Sequence, residues 1–384
     1  MCLRVLQVVG SMDRGGAETL LMNLYRKMNR QAVQFDFVVH SPKEGDYDGE
    51  IRSLGGKIYH MPHYSGVNHF SYVEAWERFF RSHPEYSIVH GHIRSTAAIY
   101  LRIAKKYGLI TIAHSHNTAS RGNLLAKFVK TLLQYPIRYT ADHLFACSEE
   151  AGIWLFGKSI SKRENFHQLN NAIDSSKFLF SEELRNKKRD ELGVGQQFVI
   201  GHVGNFDRQK NHEFLIDVFE RVWQKDNTCT LLLVGSGNDV LQRNIEEKVR
   251  RMGLESNVRF LGKRTDVQEL LNAFDLFLFP SHHEGLPLVT IEAQSNGLMC
   301  LLSDAVSKEA AITQNVEFIS LNKPAEFWAD RVLSYRNNHE RLDMYTAVQD
   351  AGYDINSVAQ WLAGFYLELH NPSQNSMDGV KFPY

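Results

Sequence analysis

The sequence is poor in cysteine and proline, which argues against a disulfide-rich chain and against an extended, proline-rich one. Its 384 residues include 4 cysteines and 9 prolines. Cys2, Cys147, Cys229 and Cys300 lie far apart and form no CxxC pair or Cys/His ligand pair, so no disulfide framework or zinc site is indicated. We therefore expect a globular protein of the reducing cytoplasm.

The sequence also lacks an excess of either charge and a long apolar run. Lys and Arg number 43 against 44 Asp and Glu, which gives a net charge of -1 and no electrostatic reason to expect a nucleic-acid partner. The apolar stretch 3–9 contains Arg4 and is too short for the core of a signal peptide. No segment approaches about 18 consecutive apolar residues, so we expect no membrane span.

Short apolar runs alternate with longer helical stretches along the chain, a pattern typical of βα units around a parallel sheet. The runs that predict strands are 3–9, 35–39, 88–90, 110–114, 143–147, 198–204, 230–235, 258–262 and 275–281. A chain of this length predicts two to three domains at about 150 residues each. The fold class is therefore α/β, with two doubly wound domains.

A polar, turn-rich junction separates the two halves, and we place the hinge near residues 171–180. The predicted domains are 1–172, 173–355 and a C-terminal helix and tail, 356–384, that packs back toward the first domain. A short echo supports similar halves, because Val9-Gly10-x-x-Asp13-Arg14 recurs 194 residues later as Val203-Gly204-x-x-Asp207-Arg208. Each copy ends a predicted strand, where open α/β sheets place their ligand loops.

Gly15 and Gly16 follow the first strand and precede a helix. Glycine allows backbone N–H groups to approach an anion, and the positive end of the helix favours one. A tight turn that binds nothing is the alternative, and the helix dipole alone explains Glu18. No GxGxxG follows the first strand, which argues against a Rossmann dehydrogenase.

The most informative motif is the segment 280–293. Glu284 ends a strand, Gly285 permits a sharp turn, and Pro287 suits the first helical position, which leaves N–H groups free for a phosphate. Glu292 lies about one turn along that helix. Two carboxylates at one cleft suit sugar hydroxyls as hydrogen-bond donors. The alternative is a helix cap followed by a solvated glutamate.

Single residues elsewhere leave two interpretations open. Lys210 follows the second glycine loop and is either a diphosphate ligand or a solvated surface lysine. His90 and His92 end one predicted strand, and His114 and His116 end the next. We expect only one of each pair to reach a given face, with His116 in the active site and His90 and His92 as hydrogen-bonded core residues or site residues. A zinc site would need further ligands that the sequence does not place.

At these residues the sequence resembles the family 4 retaining glycosyltransferases of GT-B architecture, especially those of bacterial exopolysaccharide and capsule assembly. The resemblance implies two Rossmann-like domains that face a cleft. It assigns catalytic positions to His116 and Glu284, and donor binding to Gly15, Gly16, Asn205, Arg208, Lys210, Gly235, Gly262, Arg264, Gly285, Leu286, Leu288 and Glu292. Two positions depart from the family pattern, since Asn205 stands where an arginine is usual and Ala172 where a glycine is usual. Either Arg208 substitutes for the missing cation or the site has one cation fewer.

The resemblance implies transfer of a hexose, with retention, from a nucleotide-sugar of the UDP type to a lipid-linked saccharide. Glu292 would bind the ribose, Glu284 the donor hexose and Lys210 the diphosphate. No cofactor and no metal are expected, because Lys210, helix dipoles and backbone donors replace them. The alternatives are a nucleotide-sugar epimerase and a catalytically silent nucleotide-sugar-binding protein.

A stretch of the first half lacks acidic residues, since residues 86–141 contain no Asp or Glu. Eight cations lie in it: Arg94, Arg102, Lys105, Lys106, Arg121, Lys127, Lys130 and Arg138. Leu124, Leu125, Phe128, Val129, Leu132 and Leu133 recur there at helical spacing. The pattern predicts a peripheral contact with an anionic membrane surface, on the inner face of the cell membrane, although ordinary core packing explains the apolar stripe equally well.

Overall fold

The computed structural model describes residues 2–116, 133–337 and 341–371. The chain forms two compact units, one of residues 1–172 with 354–384 and one of residues 173–353. The first border lies where the sequence placed it, and the second lies two residues before the predicted one. Among the described helices, none has both the length and the hydropathy needed to cross a bilayer.

The first unit is built on a seven-stranded sheet. Its strands are β1 (Leu3–Val9), β2 (Val33–Val39), β3 (Ile58–His60), β4 (Ile88–Gly91), β5 (Ile110–Ser115), β6 (His143–Ala146) and β7 (Phe166–Gln168). They are parallel throughout, in the order β3-β2-β1-β4-β5-β6-β7. The strand order reverses between β1 and β4, which is where open sheets of this kind hold their ligands.

Helices cover both faces of this sheet. The described ones are α1 (Gly16–Lys27), α2 (Asp48–Ser53), α3 (His69–Ser82), α4 (Ala97–Lys106), α5 (Ile137–Thr140), α6 (Glu149–Phe156) and, from the end of the chain, α14 (Ile355–His370). Leu24 of α1 and Leu362 of α14 belong to one apolar core, and Trp76 of α3 and Leu101 of α4 belong to a second. Parallel strands buried on both faces explain why the strand runs are almost continuously apolar.

The last helix of the described chain belongs to the first unit. Helix α14 contacts α1, β1 and β2. It buries Ile355, Val358, Leu362 and Tyr366, which recur at helical spacing and form a single apolar stripe. Its start is capped by Asp354, whose carboxylate accepts a hydrogen bond of 3.0 Å from the Ser357 N–H.

The second unit repeats the plan with six strands. They are β8 (Phe198–Val203), β9 (Cys229–Val234), β10 (Val258–Gly262), β11 (Leu276–Phe279), β12 (Met299–Ser303) and β13 (Val316–Ile319). All pairs are parallel, in the order β10-β9-β8-β11-β12-β13. Strand β8 therefore occupies the position that β1 occupies in the first sheet, which accounts for the echo of Val9-Gly10 in Val203-Gly204.

The helices of the second unit also cover both faces of their sheet. They are α7 (Glu182–Leu192), α8 (His212–Lys225), α9 (Asp239–Arg251), α10 (Val267–Ala273), α11 (Leu288–Ser295), α12 (Ala325–Ser334) and α13 (Tyr345–Asp350). Phe219 of α8 and Trp328 of α12 lie in one core, and Leu270 of α10 and Ala293 of α11 lie in the other. The fold class is therefore α/β with two doubly wound parallel sheets, as the sequence predicted.

Gly201 leaves room for an aromatic ring at the centre of the second sheet. A Cβ at residue 201 would lie only 1.9 Å from Cδ2 of Phe274, whose ring is fully buried. The neighbouring strands are closely packed, so the ring has no adjacent space to enter. The size of the side chain, and not the backbone conformation, requires glycine here.

We predict that Gly201→Ala lowers the free energy of unfolding by about 1–3 kcal/mol, because overpacking forces Phe274 and its neighbours to shift. Denaturant unfolding followed by circular dichroism measures the change. The matched variant Gly364→Ala places a methyl group in open space within α14, and it should be neutral or stabilising by roughly 0.5–1 kcal/mol. Equal stability of the two variants would contradict the packing argument.

Candidate active site

The ends of β8 and β11, which are neighbours in the second sheet, bring Lys210 and Glu284 together. Nζ of Lys210 lies 2.5 Å from Oε1 of Glu284, and the two side chains are only 16% and 12% exposed. The same ammonium lies 4.8 Å from the centre of the Phe279 ring. The sequence assigned Lys210 and Glu284 to different parts of a donor, whereas the structure joins them as one partly buried ion pair.

The loop that carries Lys210 is held in place by local hydrogen bonds. Oδ1 of Asp207 accepts a 3.0 Å hydrogen bond from the Lys210 N–H and caps a short 3-10 turn. Asn211 then adopts a left-handed conformation with φ of 58°, and its amide donates to the Pro280 carbonyl at 3.0 Å. This bond ties the loop after β8 to the loop after β11, so Lys210 and Glu284 have fixed positions relative to each other.

Glu292 lies one turn into α11, the helix that follows Glu284. The helix begins at Leu288 with Pro287 as its N-cap, so Pro287 precedes the first helical residue instead of occupying it. No side chain caps this end and no acidic residue lies in the first turn, which leaves backbone N–H groups for an anion. Burial raises the pKa of Glu292 to about 7, so this carboxyl group exchanges a proton near neutral pH.

The residues around the start of α11 leave space on one side. The φ angle of Gly285 lies outside the left-handed region, and the position that a Cβ would take is surrounded by open space. The chain bends at Gly285, as the sequence predicted, but its backbone conformation does not require glycine. Leu286 and Leu288 are half-buried and pack on the apolar clusters beneath the helix. They contribute backbone groups and packing at this position.

Gly235 and Gly262 have different structural reasons. Gly235 has φ of 145°, and a Cβ there would lie 2.0 Å from the Gly204 carbonyl oxygen, so glycine allows the ends of β8 and β9 to approach each other. Its N–H donates a 2.9 Å hydrogen bond to the carbonyl of Gly262. Gly262 has open space where a Cβ would lie, and its φ of 65° is what favours glycine.

Arg264 and Arg208 have surroundings that differ from those of Lys210. Nε and Nη2 of Arg264 donate to the carboxylate of Asp266 at 2.7 and 2.6 Å, which raises the pKa of Arg264 and compensates its charge. Arg208 is exposed and lines an open cavity of about 900 Å³ whose lining does not include Lys210, Glu284 or Glu292. Neither arginine lies against the Lys210–Glu284 pair.

Two positions that depart from the family pattern have ordinary geometry. Asn205 is exposed, and its carbonyl accepts a 2.8 Å hydrogen bond from the Asp207 N–H. Ala172 is buried, and within the described residues only Asn211 among the non-glycine residues has a positive φ. Ala172 thus holds its position without the conformational freedom of glycine.

In the first unit, the carboxylate of Glu18 folds back against the glycine turn that precedes α1. Gly15 is the N-cap of α1, and the Glu18 carboxylate lies where a Cβ on Gly15 would be. Burial raises the pKa of Glu18. Gly16 has open space beside it. An anion at this helix end would therefore face Glu18, which the sequence argument did not anticipate.

Four histidines at the ends of β4 and β5 share one face of the first sheet. The ring centres of His90 and His92 lie 4.5 Å apart, and those of His114 and His116 lie 4.0 Å apart. The expectation that only one of each pair reaches a given face is wrong, because residues two apart on a strand point to the same side.

A chain of hydrogen bonds fixes the ring of His116. Nε2 of His116 lies 2.7 Å from Nδ1 of His92, and Nε2 of His92 lies 2.9 Å from Oε1 of Gln7. The amide of Gln7 donates to the hydroxyl of Tyr366. Because Oε1 of Gln7 only accepts, Nε2 of His92 carries the proton and Nδ1 accepts from His116. His116 is thereby protonated on Nε2 and presents the lone pair of Nδ1.

His116 is neutral at physiological pH. Burial, assisted by the charge of Arg94, lowers its pKa to about 4. Gln7 and Tyr366, which orient it through His92, were not predicted from the sequence. A usable signal existed for Gln7, since it is a polar residue inside the apolar strand β1. None existed for Tyr366, which reads as one residue of an apolar helical stripe.

We predict that Gln7→Met releases this tautomer, because His92 loses the acceptor that determines which of its nitrogens carries the proton. Two-bond ¹H–¹⁵N spectra of histidine-labelled, metal-free protein should show His116 as a single Nε2–H tautomer in the wild type and as a mixture in the variant. The control is Gln34→Met, because Gln34 is also a buried strand glutamine bonded to a tyrosine hydroxyl. An unchanged His116 spectrum in Gln7→Met would refute the assignment.

The chain matches two family models that together cover most of its length. The model described as "Glycosyltransferase Family 4" matches residues 14–177, and the one described as "Glycosyl transferases group 1" matches residues 197–338. EpsF of Bacillus subtilis (strain 168), which is named as a glycosyltransferase, is 35% identical over 377 residues, or 96% of this chain and 97% of EpsF.

Two more distant relatives are also named as glycosyltransferases. The capsular polysaccharide biosynthesis glycosyltransferase CapH of Staphylococcus aureus is 24% identical over 95% of this chain and 99% of CapH. The UDP-Gal:alpha-D-GlcNAc-diphosphoundecaprenol alpha-1,3-galactosyltransferase of Escherichia coli is 25% identical over 57% of this chain and 58% of that enzyme.

The fold is also found in solved structures. The crystal structure of HepE of Anabaena in complex with UDP superposes with a TM-score of 0.75 at 19% identity, covering 96% of this chain and all of that one. The two doubly wound units are those of the GT-B glycosyltransferases. The extent of the likeness to EpsF, together with the two family models, shows that this chain belongs to the family 4 glycosyltransferases.

Proposed function

We propose that this glycosyltransferase moves a hexose from a UDP-sugar to a lipid-linked saccharide, with retention at the anomeric carbon, in the assembly of a surface polysaccharide. The observation that carries the donor assignment is the combination at the ends of β8 and β11. One partly buried cation, Lys210, lies against a carboxylate, and an uncapped helix start follows, with a second carboxylate, that of Glu292, one turn further along the helix. A nucleoside diphosphate sugar presents the complementary groups, which are phosphates and hydroxyls.

The Lys210–Glu284 pair gives a direct account of donor binding. A diphosphate competes with Glu284 for the ammonium of Lys210, since both are anions that accept its hydrogen bonds. Once displaced, the Glu284 carboxylate becomes an acceptor for hexose hydroxyls, and the α11 N-terminus holds the phosphates. Stabilisation of the leaving diphosphate by these groups is the main chemical requirement of the transfer. His116, neutral and oriented through His92, is assigned to the reacting centre.

The acceptor assignment rests on the relatives. The Escherichia coli relative is named for a sugar carried on diphosphoundecaprenol, and the Staphylococcus aureus relative for capsular polysaccharide. We assign the same classes to this chain. Transfer is proposed to need no divalent metal, because Lys210 and backbone N–H groups take up the charge of the diphosphate. Activity that persists in EDTA is the result expected from that assignment.

The decisive variant is Glu292→Gln, which keeps the shape of the side chain and removes its charge. We predict more than a tenfold loss of UDP-sugar affinity, because a charge-assisted contact to the ribose hydroxyls is worth about 1.5–3 kcal/mol. The wild-type affinity should also fall as pH is lowered from about 8 to 6, since the raised pKa of about 7 means that the carboxylate is lost in this range. Glu292→Gln should show no such dependence.

Isothermal titration with a panel of UDP- and GDP-sugars measures both effects. The control Glu247→Gln changes an exposed glutamate on α9 of the same unit and should bind like the wild type. Unchanged affinity in a folded Glu292→Gln protein would remove the ribose assignment. Product formed from donor alone would favour an epimerase, and binding without transfer to any lipid-linked acceptor would favour a silent binding protein.

We further propose that the first unit contacts an anionic membrane surface. Of the apolar stripe at residues 124–133, all but Leu133 lies outside the described residues, as do Lys127 and Lys130. A few residues further along the chain, Tyr135 and Tyr139 are 52% and 65% exposed, and tyrosine suits a membrane interface. Two other cations of the acid-free stretch are already paired, since Lys105 binds Asp142 and Lys106 binds Glu77, each at 2.7 Å.

We predict that the protein co-sediments with anionic but not with zwitterionic vesicles, and that the Lys127→Glu/Lys130→Glu variant does not. Each cation near an anionic surface contributes about 1 kcal/mol. The control variant Lys105→Glu/Lys106→Glu carries the same change of charge at lysines that are paired within the protein, and it should retain more binding. Equal recovery with both kinds of vesicle would exclude the electrostatic contact.

A further inference from the structure

The histidine cluster of the first unit contains more than the orientation of His116 requires. His114 packs between its neighbours, with its ring centre 5.2 Å from those of His90 and His92. One ring nitrogen from each of these three residues lies within 4.8 Å of the other two. Three imidazoles at the ends of two adjacent strands thus bring one nitrogen each into the same small region on one face of the sheet.

Several nitrogens at this point have no hydrogen-bond partner among the described residues. They are Nε2 of His90 and both Nδ1 and Nε2 of His114. His90 and His114 are only 1% and 2% exposed. A buried polar atom without a partner costs roughly 1–3 kcal/mol, and such atoms in a native protein commonly mark a bound water or ion. Their concentration in one cluster requires an explanation that the transfer reaction does not supply.

Hydrogen bonds to outer partners orient two of the three rings, those of His90 and His92. Nδ1 of His90 lies 2.6 Å from the Tyr366 hydroxyl, and Nε2 of His92 lies 2.9 Å from Oε1 of Gln7. These contacts leave Nε2 of His90 and Nδ1 of His92 on the side of the cluster. Metal-binding histidines are usually held in this way, with the second ring nitrogen bonded to an outer partner.

We propose that His90, His92 and His114 bind one Zn²⁺ ion or a divalent ion of similar preference. Imidazole nitrogen suits zinc, copper, nickel and cobalt, and not magnesium or calcium. Tetrahedral zinc with bonds of about 2.0–2.1 Å separates its ligand atoms by about 3.3 Å, so the rings close inward from their present spacing of up to 4.8 Å. The three ligands are all neutral and Arg94 acts electrostatically on the neighbouring His116, so weaker binding than at a site with thiolate or carboxylate ligands is expected.

Metal binding at this point opposes the proposed transfer. Nδ1 of His92 now accepts the hydrogen bond from Nε2 of His116. A metal ion takes the same lone pair, so His116 loses the contact that orients it. The ion is therefore an inhibitor and not a participant in the transfer. This consequence rests on the proposed function of His116, whereas the binding itself does not.

Zinc titration of metal-free protein tests the binding directly. Calorimetry should show one equivalent of Zn²⁺, and Co²⁺ should give the visible absorption of a four-coordinate, nitrogen-rich site. His114→Ala should lose both signals. His167→Ala is the matched control, because His143 and His167 form another histidine pair of the first unit, with ring centres 5.6 Å apart. Loss of binding in the control but not in His114→Ala would overturn the assignment.

X-ray absorption of the wild-type zinc complex keeps the proposal testable if His114→Ala does not fold. A first coordination shell that contains three imidazole nitrogens at about 2.0 Å is expected. Failure to bind one equivalent of zinc, or a shell of oxygen ligands alone, would show that water occupies the cluster. Zinc binding without inhibition of transfer would retain the metal site and remove the role assigned to His116.

Discussion

The burial of both faces of each parallel sheet governs where this protein can place polar chemistry. Hydrogen-bonded strands covered by helices on two sides must be nearly apolar along their length. Polar side chains with a choice of partners therefore accumulate just beyond the carboxyl ends of the strands. Lys210, Glu284 and His116 all lie there. Lys210 and Glu284 follow β8 and β11, the two strands that flank the reversal of strand order in the second sheet, and His116 follows β5, one strand away from the reversal in the first.

The same constraint explains the charge states of the titratable groups at these strand ends. A partly buried ammonium without an anion would be costly, and the nearby carboxylate of Glu284 offsets that cost. The Phe279 ring adds a cation–π contact to the same ammonium. The outcome differs for Glu292, because burial raises the pKa of its carboxyl group to about 7. The four histidines at the ends of β4 and β5 remain neutral, because burial lowers the pKa of each of them. One environment thus yields an ion pair, a proton-exchanging acid and a neutral cluster.

The fold and the sites differ in how much of them can be predicted from the sequence. Short continuous apolar runs and helical stripes locate most elements, because the burial of a strand or helix is visible in its own local composition. The partnership of Lys210 with Glu284 was not predicted, because it depends on loops 74 residues apart in the chain. Tyr366 reaches Gln7 across 359 residues, which no local pattern reports. The error over the histidine faces was different, because the spacing alone contained the right answer.

The return of α14 to the first unit has a consequence for synthesis on the ribosome. Residues 1–172 emerge first, yet their core includes Ile355, Val358, Leu362 and Tyr366, which are made only after the whole second unit. The first unit therefore completes its packing after translation of the second, although it begins the chain. The second unit is continuous from residue 173 to 353, so all its residues have been synthesised before α14 is made. A chain stalled before α14 would expose the apolar face of α1 and β1 to chaperones and proteases.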